Sequence, residues 1–381
     1  MKKFELIATT TFGLEAVVKK ELKKLGIKIS QVKNGRVFFE GDYDTLCRAN
    51  LWLRSAERVL LKMGSFKAEN FDELYEKTGA LPWQEILPEN AEFPVLGRSI
   101  KSKLHSVPSC QSIVKKSIVD KMQKEYGSQW FSEKGPLYTI EVELRKDIAT
   151  LTIDTSGDGL HKRGYRKLNT TAPLQETIAA AMIYLSRWHK DRILIDPFTG
   201  SGTIPIEAAM MAQNIAPGLH RSFASQKWPI IPQKSWIKAE EEAKDLINHD
   251  NQVRLIMGND IDDNVIGIAR YHAKEAGVEN MIHFQQKSFV DFSSSRKYGY
   301  IITNPPYGER INNKDEAEDL YRLMGRKLKS LKTWSYYILT SNKEFEKIFG
   351  KKASKRRKLY NGGIETHYYQ YYGPRPSVND K

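Results

Sequence analysis

Cysteine is almost missing from this chain: Cys47 and Cys110 are the only two in 381 residues. Far apart in sequence, they support neither a disulfide framework nor a cysteine zinc cluster, and both are expected in the core. None of the eight histidines falls in a His-Glu-x-x-His pattern, and no serine sits in a Gly-x-Ser-x-Gly elbow. No metal and no covalent nucleophile is therefore expected. A Gly-Lys-Ser/Thr phosphate loop is missing too, which removes the common nucleotide triphosphatases. No apolar run is long enough to span a bilayer and no apolar segment follows Met1-Lys2-Lys3, so a cytoplasmic location is expected. Acidic residues are in deficit, 46 against 60 Lys plus Arg, for a net charge of +14. That balance favours a polyanionic partner whose binding weakens with salt.

What is present divides into two or three domains' worth of chain. Phe4 to Thr10 predicts a strand. Leu14, Val17, Val18, Leu22 and Leu25 predict an amphipathic helix with Lys19, Lys20, Lys23 and Lys24 on its other face, ending at Gly26; Val37 to Phe39 predicts a return strand. Pro108-Ser109 opens a second helix with Ile113, Ile118 and Met122 inside, which sets Lys101, Lys103, Lys115 and Lys116 near its dipole-positive start as candidate RNA contacts. Alternation from Tyr138 to Leu144, a turn at Lys146-Asp147 and a return over Ile148 to Ile153 predict a hairpin. Thr155-Ser156-Gly157-Asp158-Gly159 reads as a linker. An insertion between Asn214 and Asn251 carries Arg221, Trp228, Trp236 and Glu240-Glu241-Glu242; it is expected to border the RNA-facing mouth, with both tryptophans packing locally. The basic run from Lys351 to Lys358 reads as a solvated loop, the commoner fate of a charge run, with a phosphate grip as the alternative.

Three stretches carry chemistry. Ile193-Leu194-Ile195 leads into Asp196-Pro197-Phe198-Thr199-Gly200-Ser201-Gly202-Thr203 and a helix-like apolar run. In this strand, glycine loop and helix, Gly200 and Gly202 permit close backbone approach and the helix start leaves free N–H groups. A dinucleotide fingerprint fits poorly, because Pro205 stands where a third small residue is wanted. The second stretch, Leu255 to Asp262, ends at Asp260, placed to accept ribose hydroxyls with Ile261 packing on an adenine; Asp260 or Asp262 is equally suited to capping the next helix. The third, Asn304-Pro305-Pro306-Tyr307, follows the apolar run Tyr300-Ile301-Ile302. Its prolines fix φ and lack an N–H, so the Asn304 side-chain oxygen and the Pro305 carbonyl can address one exocyclic amine while Tyr307 stacks on its ring. In this order the three stretches describe a doubly wound sheet with its ligands at the carboxyl ends of the strands.

These motifs resemble those of class I S-adenosylmethionine-dependent amino-methyltransferases. Leu160-His161-Lys162-Arg163-Gly164-Tyr165-Arg166 with Ala172-Pro173-Leu174-Gln175-Glu176-Thr177, and Ile215-Ala216-Pro217-Gly218-Leu219 with Trp228, are similar to segments of the bacterial RNA guanine-N2 methyltransferases. Phe12-Gly13-Leu14-Glu15 and Ser106-Val107-Pro108-Ser109-Cys110-Gln111 resemble the ferredoxin-like and THUMP domains that precede that catalytic domain. The resemblance is nearest to the large-subunit ribosomal RNA guanine-N2 methyltransferases in stand-alone form. It implies an α/β chain with a ferredoxin-like domain over 1–60, a THUMP domain over 61–155 and a Rossmann-like methyltransferase domain over 160–381. It further implies S-adenosyl-L-methionine as cofactor, held by Asp196, Phe198, Thr199, Gly200, Gly202, Thr203, Asp260, Ile261, Ser288 and Asn304. Catalysis falls to Asn304, Pro305, Pro306 and Tyr307, and RNA contact to the four lysines with Arg163 and Arg166. Where relatives carry an acid for the adenine amine this chain has Phe284-Gln285-Gln286-Lys287-Ser288-Phe289, leaving Ser288 or Gln286 for that contact. The motif itself does not separate guanine from adenine. The resemblance favours guanine in 23S ribosomal RNA over transfer RNA, an adenine amine, or a non-catalytic RNA-binding scaffold.

Overall fold

The computed structural model describes residues 3–128, 131–168, 173–249, 256–306 and 314–376. In chain order its elements are β1 (Phe4–Thr9), α1 (Glu15–Lys24), β2 (Ile29–Lys33), β3 (Arg36–Gly41), α2 (Tyr43–Trp52), β4 (Arg58–Lys67), α3 (Phe71–Gly79), β5 (Val95–Ile100), α4 (Val107–Tyr126), β6 (Ile140–Arg145) and β7 (Ile148–Asp154). There follow α5 (Glu176–Ser186), β8 (Leu194–Asp196), α6 (Thr203–Ala212), α7 (Gln233–Asp245), β9 (Ile256–Asp260), α8 (Asp263–Glu275), β10 (Ile282–Gln286), β11 (Tyr300–Thr303), α9 (Lys314–Ser330), β12 (Ser335–Thr340), α10 (Phe345–Phe349), β13 (Lys355–Asn361) and β14 (Ile364–Tyr371). Two compact units interleave along the chain. The first holds Met1–Thr10, Lys19–Leu160 and Ser222–Glu242; the second holds Thr11–Val18, His161–Arg221 and Ala243–Lys381.

The first unit is built on a seven-stranded sheet in the order β2-β3-β1-β4-β7-β6-β5. The expected hairpin forms as β6 and β7, with Lys146 and Asp147 at φ 52° and 62° making the tight turn. Cys47 and Cys110 are both buried. The lysine face of α1 is exposed, while Val18 and Leu22 are fully buried, as the helical spacing requires.

The insertion packs back onto earlier parts of the chain. Trp228 is 1% exposed and stacks on Tyr138 with ring centroids 4.3 Å apart, its indole N–H donating to the Leu137 carbonyl at 3.0 Å. Trp236 stacks on Phe223 at 5.1 Å, the local packing the sequence predicted. Ser225 Oγ donates to the Thr155 carbonyl at 2.7 Å, and Arg48 grips Glu242 through two bonds of 2.8 and 3.0 Å. Residues 222–242 are therefore a packed part of the first unit. The linker residues join them: Asn50 donates to Thr155 Oγ1 and accepts from Ser156 Oγ.

The second unit has the sheet order β10-β9-β8-β11-β12-β14-β13. Strands β10, β9, β8, β11 and β12 pair in parallel; β14 is antiparallel to β12 and to β13. One core joins Ile178 of α5, Ile206 of α6 and Ile266 of α8; another joins Tyr321 of α9 and Phe345 of α10. Helices thus cover both faces of the sheet, the doubly wound arrangement expected. Successive strands run outward from β8 to β10, then the chain returns to β11 and proceeds the other way. The reversal lies between β8 and β11, where such sheets open a crevice at their carboxyl ends.

Candidate active site

At the end of β8 the chain enters the glycine loop. Gly200 and Gly202 adopt φ of 53° and 85°, a region that costs other residues strain. Gly202 is the N-cap of α6, and Pro205 falls in the first turn, where no intrahelical donor is missed. The loop is pinned from β9: Thr199 N–H donates to the Asn259 carbonyl and Gly200 N–H to Asp260 Oδ2, both at 2.9 Å. The other oxygen of Asp260 accepts the Asp262 N–H at 3.2 Å, and Asp262 caps α8 by accepting from Asn264 N–H at 2.9 Å. Of the two acids, Asp262 takes the capping role while Asp260 turns toward the glycine loop, its remaining lone pairs open to further donors.

A cavity of about 650 Å³ opens here. Its walls include Asp196, Phe198, Thr199, Gly200, Thr203, Asp260, Ile261, Ser288, Asn304 and Pro306. Nearly all the residues expected to hold the cofactor meet at one place; Gly202 is set back from the wall at the helix start, and Pro305 is buried behind it. Tyr307 lies outside the described residues. Gln286, an alternative for the adenine contact, donates its amide to the Ile261 carbonyl at 3.1 Å, whereas Ser288 lines the cavity.

Polarity on these walls is unevenly satisfied. Thr199 Oγ1 and Asn304 Oδ1 are buried with no hydrogen-bond partner among the described residues, a costly state unless a ligand supplies one. Ile261 and Val290 are 71% and 61% exposed on the rim, apolar surfaces suited to a flat ring. Asp196 is fully buried, and burial pushes its carboxyl up to about 7. Hydrogen bonds from Thr303 Oγ1 at 2.6 Å and Phe198 N–H at 3.2 Å oppose that rise, and the neighbouring charge of Asp260 adds to it. An acid with free lone pairs, exposed apolar rims and a second, buried acid form a lining whose chemistry fits an adenosine that carries positive charge.

Arg163 and Arg166 are both engaged by acids of their own unit. Arg163 is 2% exposed and paired with Glu207 at 3.2 Å, itself fully buried. Arg166 bonds Glu176 at 2.8 Å, Ser201 Oγ at 2.9 Å, Thr203 Oγ1 at 2.8 Å and the Leu174 carbonyl at 3.3 Å. It clamps the glycine loop to the start of α5. Ser201, Glu176 and Thr303 were missed in the sequence, since nothing in their spacing announces these partners. In the first unit Lys101, Lys103 and Lys116 are exposed. Lys103 pairs with Glu69, Lys116 lies 6.0 Å over the Tyr75 ring, and Lys115 is half-buried, 3.7 Å from the Phe93 ring and 2.6 Å from Glu133. Among the described residues no cluster of His, Cys, Asp and Glu could hold a metal, and no helix is long and apolar enough to cross a membrane.

Known proteins similar to this chain share its domains. The RMKL-like methyltransferase domain matches residues 163–370, the RlmL ferredoxin-like domain 5–60 and the THUMP domain 68–154. YpsC of Bacillus subtilis (strain 168), named as a candidate RNA methyltransferase, is 50% identical over 98% of this chain and 97% of its own length. The ribosomal RNA large subunit methyltransferase K/L of Syntrophotalea carbinolica is 33% identical over 96% of this chain, which spans 53% of that protein. A crystal structure from Listeria monocytogenes, of a protein named as an N6-adenine-specific DNA methylase, is 52% identical with a TM-score of 0.93, covering 98% of this chain and 97% of that one. SMU.472, solved with S-adenosylhomocysteine (SAH) bound, is 45% identical with a TM-score of 0.93 over 99% of this chain and 100% of its own. SAH is what S-adenosylmethionine becomes on losing its methyl, and S-adenosyl-L-methionine is the methyl donor here. The chain belongs to the THUMP-containing, RMKL-like family of S-adenosylmethionine-dependent methyltransferases.

Proposed function

We propose that the protein methylates the exocyclic N2 amine of a guanine in RNA, with large-subunit ribosomal RNA as the substrate. The observation that carries the chemistry is the buried Asn304 Oδ1, without a hydrogen-bond partner among the described residues, on the wall that also holds Asp260 and the glycine loop.

In this reading Asp260 accepts the ribose hydroxyls, Ile261 packs on the adenine and Ser288 meets its amine. Bound in the cavity, S-adenosylmethionine supplies an electrophilic methyl on a positively charged sulfur. An exocyclic amine is a weak nucleophile because its lone pair is delocalised into the ring. Asn304 Oδ1 and the Pro305 carbonyl hold its N–H groups, which favours tetrahedral geometry, and Tyr307 stacks on the base. The new carbon–nitrogen bond forms as the carbon–sulfur bond breaks, and positive charge arrives on nitrogen. Acceptors fixed in advance stabilise that charge more than the ground state. The surplus proton leaves to water. Holding both partners in place removes much of the entropic barrier. The base must leave its stack to reach the site, which favours loops or incompletely assembled RNA.

RNA as substrate draws support from the THUMP domain, from the names of YpsC and the K/L protein, and from the net charge of +14. The resemblance to guanine-N2 enzymes supports guanine. A second reading, methylation of an adenine amine in DNA, is favoured by the name of the Listeria relative. The discriminating experiment offers purified protein and labelled donor to ribosomal RNA, transfer RNA and DNA, then separates the nucleosides. Label in N2-methylguanosine from ribosomal RNA supports the proposal; label in N6-methyladenine from DNA overturns it.

A further inference from the structure

Strand β13 closes one side of the second unit's sheet, paired among the described residues with β14 alone. Six of the eight residues from Lys351 to Lys358 are Lys or Arg, and Lys355, Arg356 and Lys358 are exposed. Charge on an edge strand is an ordinary defence against edge-to-edge pairing, and it says little alone. A second feature lies beside it. Phe12 is 49% exposed, and its ring meets Tyr360 edge to face, centroids 6.4 Å apart at 70°. Lys358 Nζ stands 5.3 Å over the same tyrosine ring. In a strand alternate residues share a face, so Arg356, Lys358 and Tyr360 line up over about 13 Å.

The loop that presents Phe12 is held in place. Gly13 takes φ 93°, its N–H donates to Glu15 Oε2 at 3.0 Å, and a Cβ there would come 3.0 Å from the Lys358 carbonyl oxygen. Only glycine lets the loop lie this close to β13. Leu14, next along, is fully buried in the core of the second unit. A large apolar ring is thus kept half in solvent by a fixed backbone, beside cations whose carboxylate partners are sparse: Glu365 at 2.5 Å from Lys358 and Glu346 at 3.9 Å from Arg356. Exposed pairs of this kind are weak and readily exchanged for phosphate.

We propose that this face grips an unpaired stretch of RNA, one base stacking on Phe12 with Tyr360 behind it, and the adjoining phosphates on Arg356 and Lys358. Aromatic rings interleaved with cations are how proteins hold single strands, whereas a duplex offers such a surface only its phosphates. The inference rests on the RNA reading above and adds a requirement to it: the substrate carries single-stranded nucleotides apart from the modified base.

The test uses the full chain and two labelled probes, a single-stranded oligoribonucleotide and a blunt RNA duplex, with binding followed by fluorescence anisotropy across a salt series. Phe12→Ala is expected to weaken single-strand binding about 5- to 100-fold and duplex binding far less, while Phe12→Trp restores it. An Arg356→Glu, Lys358→Glu variant is expected to flatten the salt dependence. Donor affinity and melting temperature serve as controls. If Phe12→Ala melts early, Phe12→Trp and the charge variant decide. Variants that bind single strands as the unaltered protein does overturn this surface and leave the proposed function standing; binding of an acidic protein but of neither RNA overturns it as well. An unaltered protein with no affinity for any RNA defeats the functional reading itself.

Discussion

Thr303 donates its hydroxyl to Asp196 Oδ1 at 2.6 Å, joining the carboxyl ends of the two strands between which the sheet reverses. Asp196 opens the glycine loop and Thr303 immediately precedes Asn304, so one hydrogen bond ties the start of the glycine loop to the stretch that presents Asn304. It also restrains an acid that burial drives toward neutrality.

That acid should make donor binding pH-dependent. The carboxyl of Asp196 sits at about 7, against about 3.9 for an ordinary aspartate. S-adenosylmethionine is a net cation, so binding favours the ionised form, and affinity should rise as pH increases from 6 to 8. Calorimetry at several pH values checks this, and Asp196→Asn should flatten the curve. Because the raised value favours the protonated folded state, its stabilising contribution is complete below the ordinary value and fades as pH climbs from about 4 through 7. Thr303→Val removes a bond that favours the ionised form and should shift the binding midpoint upward.

Asn304 and Asp260 should separate turnover from binding. Asn304→Ala is expected to cost on the order of 10²- to 10³-fold in methyl transfer, as for the loss of a transition-state hydrogen bond, with donor affinity changed only a few fold. Asp260→Ala should weaken donor binding by roughly 10²-fold, the scale of losing hydrogen bonds to a charged group. Single-turnover kinetics beside calorimetry would expose the reverse pattern, which would exchange the two roles.

Arg166 separates a clamp from a phosphate contact. Its four bonds to Glu176, Ser201, Thr203 and Leu174 hold the glycine loop. Arg166→Lys keeps the charge but loses the planar fork, and should lower donor affinity tenfold or more with the salt slope of RNA binding unchanged. A slope reduced by about one, with donor binding intact, would return this residue to the RNA.

Trp228 should be a stability residue of the first unit. Its buried stack on Tyr138 predicts a loss of about 3–5 kcal/mol for Trp228→Ala, read by urea unfolding. A change below about 1 kcal/mol would contradict that packing.

The sequence reveals what is local and periodic here. Three apolar runs each ending in a polar tip gave the strands, the glycine loop and the meeting of Asp196, Asp260 and Asn304, because a parallel sheet places strand ends side by side. The 2- and 3.6-residue periods gave α1, α4 and the β6–β7 hairpin. Contacts that close across long stretches of chain stayed hidden. Trp228 reaches Leu137 and Tyr138 some 91 residues away, and Arg163 finds Glu207 44 residues on. A basic residue in a motif looks the same whether its partner is a phosphate or a buried glutamate, and only the fold distinguishes them.

Mass spectrometry of nucleosides from fractionated RNA of cells lacking this protein tests the central claim most directly. The account predicts that N2-methylguanosine disappears from one position in large-subunit ribosomal RNA and returns with the intact protein but not with Asn304→Ala. Unchanged N2-methylguanosine, with methyladenosine lost instead, would contradict it.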